Sequence, residues 1–267
     1  MSGFVYREPV YPTPEHRRIV EGLTALLSSH RQVWAVVVEG SLGWGGATAA
    51  SDVDVVAFVE PGALASVRSE DWQARYRGLG AEVSPVVGLR FGRLRADVDL
   101  TDGQLAPSGG LPRLDDYELA VGNLVAYAAV VYERDGRFGR WAAQYLPYFE
   151  EGWRRERMRL VWLDLGHNLR TVREMADRGL LLHGLERLLY AARYVVHYLF
   201  LQERKHALDW LKHLEWQAEH VLGLPALPGE LGRVLALPEL SAATLCRGAG
   251  ELETLAARYL RPPPEGR

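Results

Sequence analysis

A chain of 267 residues that is 48% hydrophobic and 24% charged carries apolar material for about two packed domains. Its formal net charge of -3 excludes the overall basic excess of a nucleic-acid-coating protein, and its one cysteine, Cys246, excludes an intrachain disulfide or a multi-cysteine zinc site. No run of ~18 uninterrupted apolar residues offers a membrane span, and the opening MSGFVYREPVYPTPEH lacks an apolar signal core, so a cytoplasmic protein without a membrane partner is expected.

Pro12 and Pro14 punctuate the start, and a helix is expected from about Thr13 to Ser29, with Ile19, Leu23, Leu26 and Leu27 as its apolar stripe. QVWAVVVE, residues 32–39, reads as a buried strand ended by Gly40-Ser41. The glycine-rich stretch 42–50 is a loop or a short helix, and VDVVAFV, 53–59, is the next strand, stopped by Pro61-Gly62. Residues 66–76 look helical. Two strand-like runs follow at 82–91 and 94–101, with Gly92 near the turn, then a helix from about Leu114 and a last strand over 128–139. After about Trp141 the pattern becomes helical. Helices are expected over 151–178, with Val161, Leu165, Leu169 and Val172 on one face, over 181–204 and over 207–222. Pro225 and Pro228 break the chain before one or two further helices reach Leu260. This is an α+β chain: an N-terminal α/β domain over 1–140 and a helical bundle over 141–267.

One stretch resists a purely structural reading. In EGSLGWGGATAASDVDVVAFVE, residues 39–60, two aspartates, Asp52 and Asp54, interrupt an apolar strand. Residues i and i+2 of a strand share a face, so two like charges lie side by side, which is unfavourable unless a cation or a proton sits between them. Gly-Ser directly after a strand offers backbone N–H groups and a hydroxyl to an anion, and paired carboxylates are hard oxygen ligands suited to Mg²⁺. A phosphate cradle facing a carboxylate pair is equipment for metal-assisted phosphoryl or nucleotidyl transfer. LRADVDLTDG supplies a third carboxylate from Asp97 or Asp99; Asp99 is favoured because it sits within the more apolar triplet Val98-Asp99-Leu100.

Gly40-Ser41, ten further residues, then Asp52-Val53-Asp54 within Ser51-Asp52-Val53-Asp54, and a later Asp, resembles the signature of the DNA polymerase β-like nucleotidyltransferase superfamily. The motifs cover roughly residues 15–105, and the helical half is similar in plan to small-molecule, aminoglycoside-type nucleotidyltransferases. The resemblance implies a mixed-sheet core, two Mg²⁺ ions, and transfer of a nucleoside monophosphate, AMP by preference, from ATP or another NTP to a small-molecule hydroxyl, with release of pyrophosphate. Carried over, Asp52, Asp54 and Asp99 would bind metal and form the catalytic set, while Gly40, Ser41 and Ser51 would hold the nucleotide. The spacer GWGGATAA departs from the pattern in its many glycines and in Trp44, which is either pocket wall or core. The alternative function is a regulatory, antitoxin-like protein of the same fold that binds or modifies a protein partner. Nucleic acid is not the expected partner; a homodimer is compatible with the sequence.

Weaker signals have plainer readings. His206, His213 and His220 recur every seven residues. Along a helix they would stand ~10.5 Å apart, too far to share one metal. Arg193 and His197 make an ordinary i, i+4 pair, with too short a gap for the Arg and His of HEPN-type ribonucleases. WRRERMR, 153–159, is a basic cluster expected on a solvated face. Glu118, Asp115 and Asp116 are candidates for a general base. The eight tryptophans and twelve tyrosines read mostly as core or interface.

Overall fold

The computed structural model describes residues 4–84, 88–105, 116–146 and 151–263. In chain order these form α1 (Pro14–Ser28), β1 (Val33–Glu39), α2 (Gly40–Trp44), β2 (Val53–Val59), α3 (Leu64–Arg68), α4 (Trp72–Gly78), β3 (Glu82–Ser84), β4 (Gly88–Phe91) and β5 (Leu94–Thr101). Then come α5 (Asp116–Val121), a π-helical turn (Gly122–Ala126), β6 (Ala129–Glu133) and α6 (Arg137–Ala142). The helical part comprises α7 (Glu151–Asp177), α8 (Leu181–Gln202), α9 (Leu214–Gln217), a second π-helical turn (Ala218–Leu222), α10 (Leu227–Leu235) and α11 (Ala242–Tyr259). The α+β class expected from the pattern is the one observed. Among the described residues no helix is long and apolar enough to cross a membrane.

The chain divides into two compact units, Met1–Pro107 with Ala120–Pro147, and Ser108–Leu119 with Tyr148–Arg267. It therefore passes between units three times, where the sequence suggested a single boundary at 140/141.

The first unit is built on one six-stranded sheet of order β3-β4-β5-β2-β1-β6. The sheet is mixed: β2 and β5 run parallel and every other neighbouring pair is antiparallel. Thr13 caps α1 by accepting a hydrogen bond from His16 N, and Pro14 fills the first turn, where its missing N–H costs nothing. Ile19, Val20, Leu23 and Leu27 of α1 then pack with Val36 and Val38 of β1 and Val53, Val55 and Ala57 of β2. Trp34, Phe58, Phe138 and Trp141 form a second, aromatic cluster, with ring centroids 4.8 to 6.4 Å apart. The two indoles in it donate to Val59 O and Gly103 O, each at 2.9 Å.

Three expected elements are interrupted, each for a local reason. The helix over 66–76 is two short helices, because Asp71 accepts from Ala74 N at 3.1 Å and starts a new one. The strand over 128–139 stops at Glu133, whose carboxylate accepts from Phe138 N at 2.9 Å and opens α6. The run over 82–91 is the hairpin β3–β4, with residues 85–87 outside those described.

In the second unit, Val161, Leu165, Leu169 and Val172 of α7 pack with Leu188, Val195 and Leu199 of α8 and Leu245, Ala249 and Leu252 of α11. The helix expected over 207–222 forms only from Leu214. Upstream, Asp209 caps Leu211 N and Lys212 N, and the buried Gln217 side chain serves Leu208 N, Asp209 O and Lys212 O, which holds a turn instead. The three histidines thus do not line one helix.

Glu118 of α5 lies inside this unit, 3% exposed. Arg157 Nε of α7 donates to its Oε1 at 2.9 Å, and His197 Nε2 of α8 meets its Oε2. Burial alone would raise the Glu118 carboxyl, but His197 and Arg157 hold it below the usual carboxylate range. Glu118 is therefore a structural anchor, not a solvent-facing base, and Asp115 lies outside the described residues. Nor is 153–159 simply a solvated basic face: Arg154 is buried, donating to Leu201 O at 2.9 Å, and Arg157 is buried on Glu118. Removing one member of a buried ion pair strands the others. Glu118→Ala should lower the unfolding free energy by about 3–5 kcal/mol, measured by urea denaturation against wild type.

Candidate active site

The strand register decides which acidic groups meet. β1 pairs with β2 so that Glu39 lies opposite Asp54, and β2 pairs with β5 so that Asp54 lies beside Asp97 and Val56 beside Asp99. Paired positions share a face of the sheet. Val53, Val55, Ala57, Leu94 and Ala96 belong to the core on the other face. Glu39, Asp54 and Asp97 therefore form one row across three strands, ~4.8 Å between neighbours, with Asp99 two residues along on the same face.

The row is electrostatically crowded. Burial, then Asp54, then Asp99 push the Glu39 carboxyl up from 4.5 to about 7. Asp97 has a local counter-charge: Arg95 Nη2 lies 2.6 Å from its carboxylate. Asp99 is exposed and makes no ion pair among the described residues. Asp52 is exposed just before the first paired residue of β2. Thus Asp54 and Asp99 share a face, Asp97 is engaged by Arg95, and Asp52 stands outside the row. Among the described residues no group of three or more His, Cys, Asp or Glu side chains is arranged to hold a metal ion.

Steric limits explain the glycine-rich spacer. Gly40 has φ of +60°, and a Cβ there would sit 2.4 Å from Asp54 Oδ2, so this carboxylate packs on bare backbone. A Cβ on Gly43 would lie 2.4 Å from Val38 O, which lets α2 sit directly on β1. Gly46 lies under the indole of Trp44, and Trp44 itself is buried. That side chain is core rather than an open pocket wall.

The residues leading into Asp52 are also fixed. Ser51 Oγ accepts from Thr48 N at 2.9 Å, Ser51 N donates to Thr48 O at 3.0 Å, and Ser51 O accepts from His16 Nε2 at 3.0 Å. A carbonyl only accepts, so His16 Nε2 carries a hydrogen, and His16 Nδ1 lies 2.7 Å from the Thr13 hydroxyl. His16 is fully buried and ties α1 to this turn. The hydroxyl oxygen of Ser51, expected to hold nucleotide, accepts a hydrogen bond from within its own turn. Ser41 is half-buried at the start of α2, and its carbonyl accepts from Gly45 N at 3.1 Å.

Sequence reasoning passed over Glu39 and His16. A carboxylate on the last residue of the strand before Gly-Ser was the available signal for Glu39. Nothing in the spacing marked His16, whose partner lies 35 residues away.

No family model matches the chain, and no curated protein matches it in sequence. Among solved structures it is similar to a nucleotidyltransferase-like protein from Exiguobacterium sibiricum 255-15, with a TM-score of 0.46 and 14% identity, over 91% of this chain and 75% of that one. The likeness is distant.

The row brings together hard carboxylate oxygens, like charges crowded enough to raise Glu39, and a glycine backbone where any Cβ would collide. Its acid–base consequence has a definite sign. The Glu39 proton is bound more tightly folded than unfolded, so this group's contribution to stability falls as pH rises from about 4.5 to about 7. The melting temperature of wild type relative to Glu39→Gln should drop across that window in metal-free buffer and level off above it; a difference independent of pH would show that Glu39 does not titrate there.

Proposed function

We propose that this protein is a Mg²⁺-dependent nucleotidyltransferase that moves a nucleoside monophosphate, AMP by preference, from an NTP to a hydroxyl of a small molecule. The observation that carries the reading is the row of carboxylates set by the β1–β2–β5 register, with Asp54 seated against Gly40 at the start of the Gly-Ser turn. An open set of carboxylates suits Mg²⁺, which keeps waters and takes substrate phosphates as ligands instead of needing an all-protein cage.

Asp54 and Asp99, with Asp52 at the edge, are the residues proposed to hold the metal. Bound there, Mg²⁺ would offset triphosphate charge and polarise the α-phosphate. Gly40 lets the donor approach the backbone, and Ser41 offers a hydroxyl and an N–H to its phosphates. Asp99, exposed and without an ion pair among the described residues, is the carboxylate assigned to accept the acceptor's hydroxyl proton. The acceptor oxygen then bonds to the α-phosphorus, the bond to the bridging oxygen breaks, and pyrophosphate leaves. His16 acts at one remove, by holding Ser51 and so the approach to Asp52.

The test is a thermal shift with each NTP, with and without Mg²⁺, on wild type and Asp54→Asn. A ligand at 100 times its dissociation constant stabilises by about 2.7 kcal/mol. A Mg²⁺-dependent shift with one NTP is expected in wild type, absent in Asp54→Asn, together with loss of pyrophosphate release. No shift with any NTP would sink the enzymatic reading and leave the partner-binding alternative.

A further inference from the structure

The carboxylate face continues past β5 onto β4, and there its charge reverses. Arg90 of β4 lies directly opposite Arg95 of β5 in the antiparallel register. Leu89 and Phe91 of β4 and Leu94 and Ala96 of β5 point into the core, so both arginines project from the other face, the one bearing Asp97 and Asp54. Both are exposed. Arg95 is fixed by its 2.6 Å contact with Asp97, while Arg90 makes no ion pair among the described residues, although Glu82 of β3 stands across from it in register. Gly88 packs on Asp97 from the β4 side: a Cβ there would lie 2.4 Å from Asp97 Oδ1. Two like charges directly opposite on neighbouring strands are unfavourable by themselves. Asp97 offsets Arg95 in part; an oxyanion shared by both guanidinium forks would offset the rest, and its geometry matches them.

We propose that Arg90 and Arg95 form an oxyanion subsite that selects a small hydroxylated acceptor bearing a phosphate or carboxylate group. This rests on the nucleotidyl-transfer reading for the identity of its ligand as an acceptor. The layout supports that assignment. The Gly40-Ser41 turn adjoins Asp54 from the β1 side, while the arginines lie on the opposite flank, β4 being about 10 Å from β2. An anion held there leaves a hydroxyl several bonds away within reach of Asp54 and Asp99. The subsite also sets the acceptor apart from the polycations that aminoglycoside-type enzymes modify. Two arginines on a chain of net charge -3 suit one oxyanion group, not a track for a polymer.

The probe is inorganic phosphate, titrated without NTP by ³¹P NMR against wild type, Arg90→Gln, Arg95→Gln and Ser41→Ala. Phosphate binding weakened roughly tenfold or more by either arginine change, and retained in Ser41→Ala, is the expected result. No binding to wild type, or binding lost in Ser41→Ala and indifferent to the arginines, overturns the subsite. A short oligoribonucleotide that binds more tightly than phosphate through Arg90 overturns the small-molecule class. Because NTP is absent, these outcomes are independent of the NTP and Mg²⁺ shift that tests the transfer reading itself. Circular dichroism of each variant separates lost binding from lost fold.

Discussion

The register of β2 against its two neighbours is the constraint on which the candidate site depends. It is set from the opposite face, where Val53, Val55, Ala57 and Val59 enter the core beneath α1. A slip of one residue would turn all four valine and alanine side chains outward and bury Asp54. The magnitudes show which effect wins. Burying a valine contributes about 1.5–3 kcal/mol. Moving one carboxyl from 4.5 to about 7 corresponds to roughly 3–4 kcal/mol at most. Apolar packing on one face is large enough to impose charge crowding on the other.

Close packing then dictates sequence around the row. Three glycines between 40 and 46 lie where a side chain would strike, in turn, a carboxylate, a strand carbonyl and an indole. Each contact presses α2 and the turn after it down onto β1 and β2. The buried His16 does the same work from α1, through one hydrogen bond to the Ser51 carbonyl. The second unit shows a different device, a buried carboxylate shared between guanidinium and imidazole, which incorporates Glu118 among the helices.

The elements legible in the sequence were those with long, unbroken patterns. The strand 53–59 and the helices over 151–177 and 181–202 lie within a few residues of expectation because periodic burial fixes them. The misreadings occurred where one polar side chain overrode the pattern: Asp71 splitting a helix, Glu133 starting one, Gln217 and Asp209 preventing one. For the site, the alternation of Asp with valine marked Asp54 and the pair Asp97 and Asp99 as candidates, and the register sets all three on one face. The contact of Arg95 with Asp97 was not legible in that alternation. Glu39 and the Arg90–Arg95 pair become visible only through pairing across strands, which no linear spacing encodes. The partners of Glu118, Arg157 and His197, lie far along the chain, and no local pattern marks them.

The raised carboxyl of Glu39 has a thermodynamic consequence for anything positive that settles in the row. Near neutrality the group is about half protonated, since its midpoint is about 7. A cation bound there would have to compete with hydrogen ions, and its loading would release a fraction of a proton into solution. The fraction approaches one below the midpoint and zero well above it. With the proposed cation bound, the row would act as an ion exchanger in that range, its apparent affinity rising with pH until Glu39 is fully ionised.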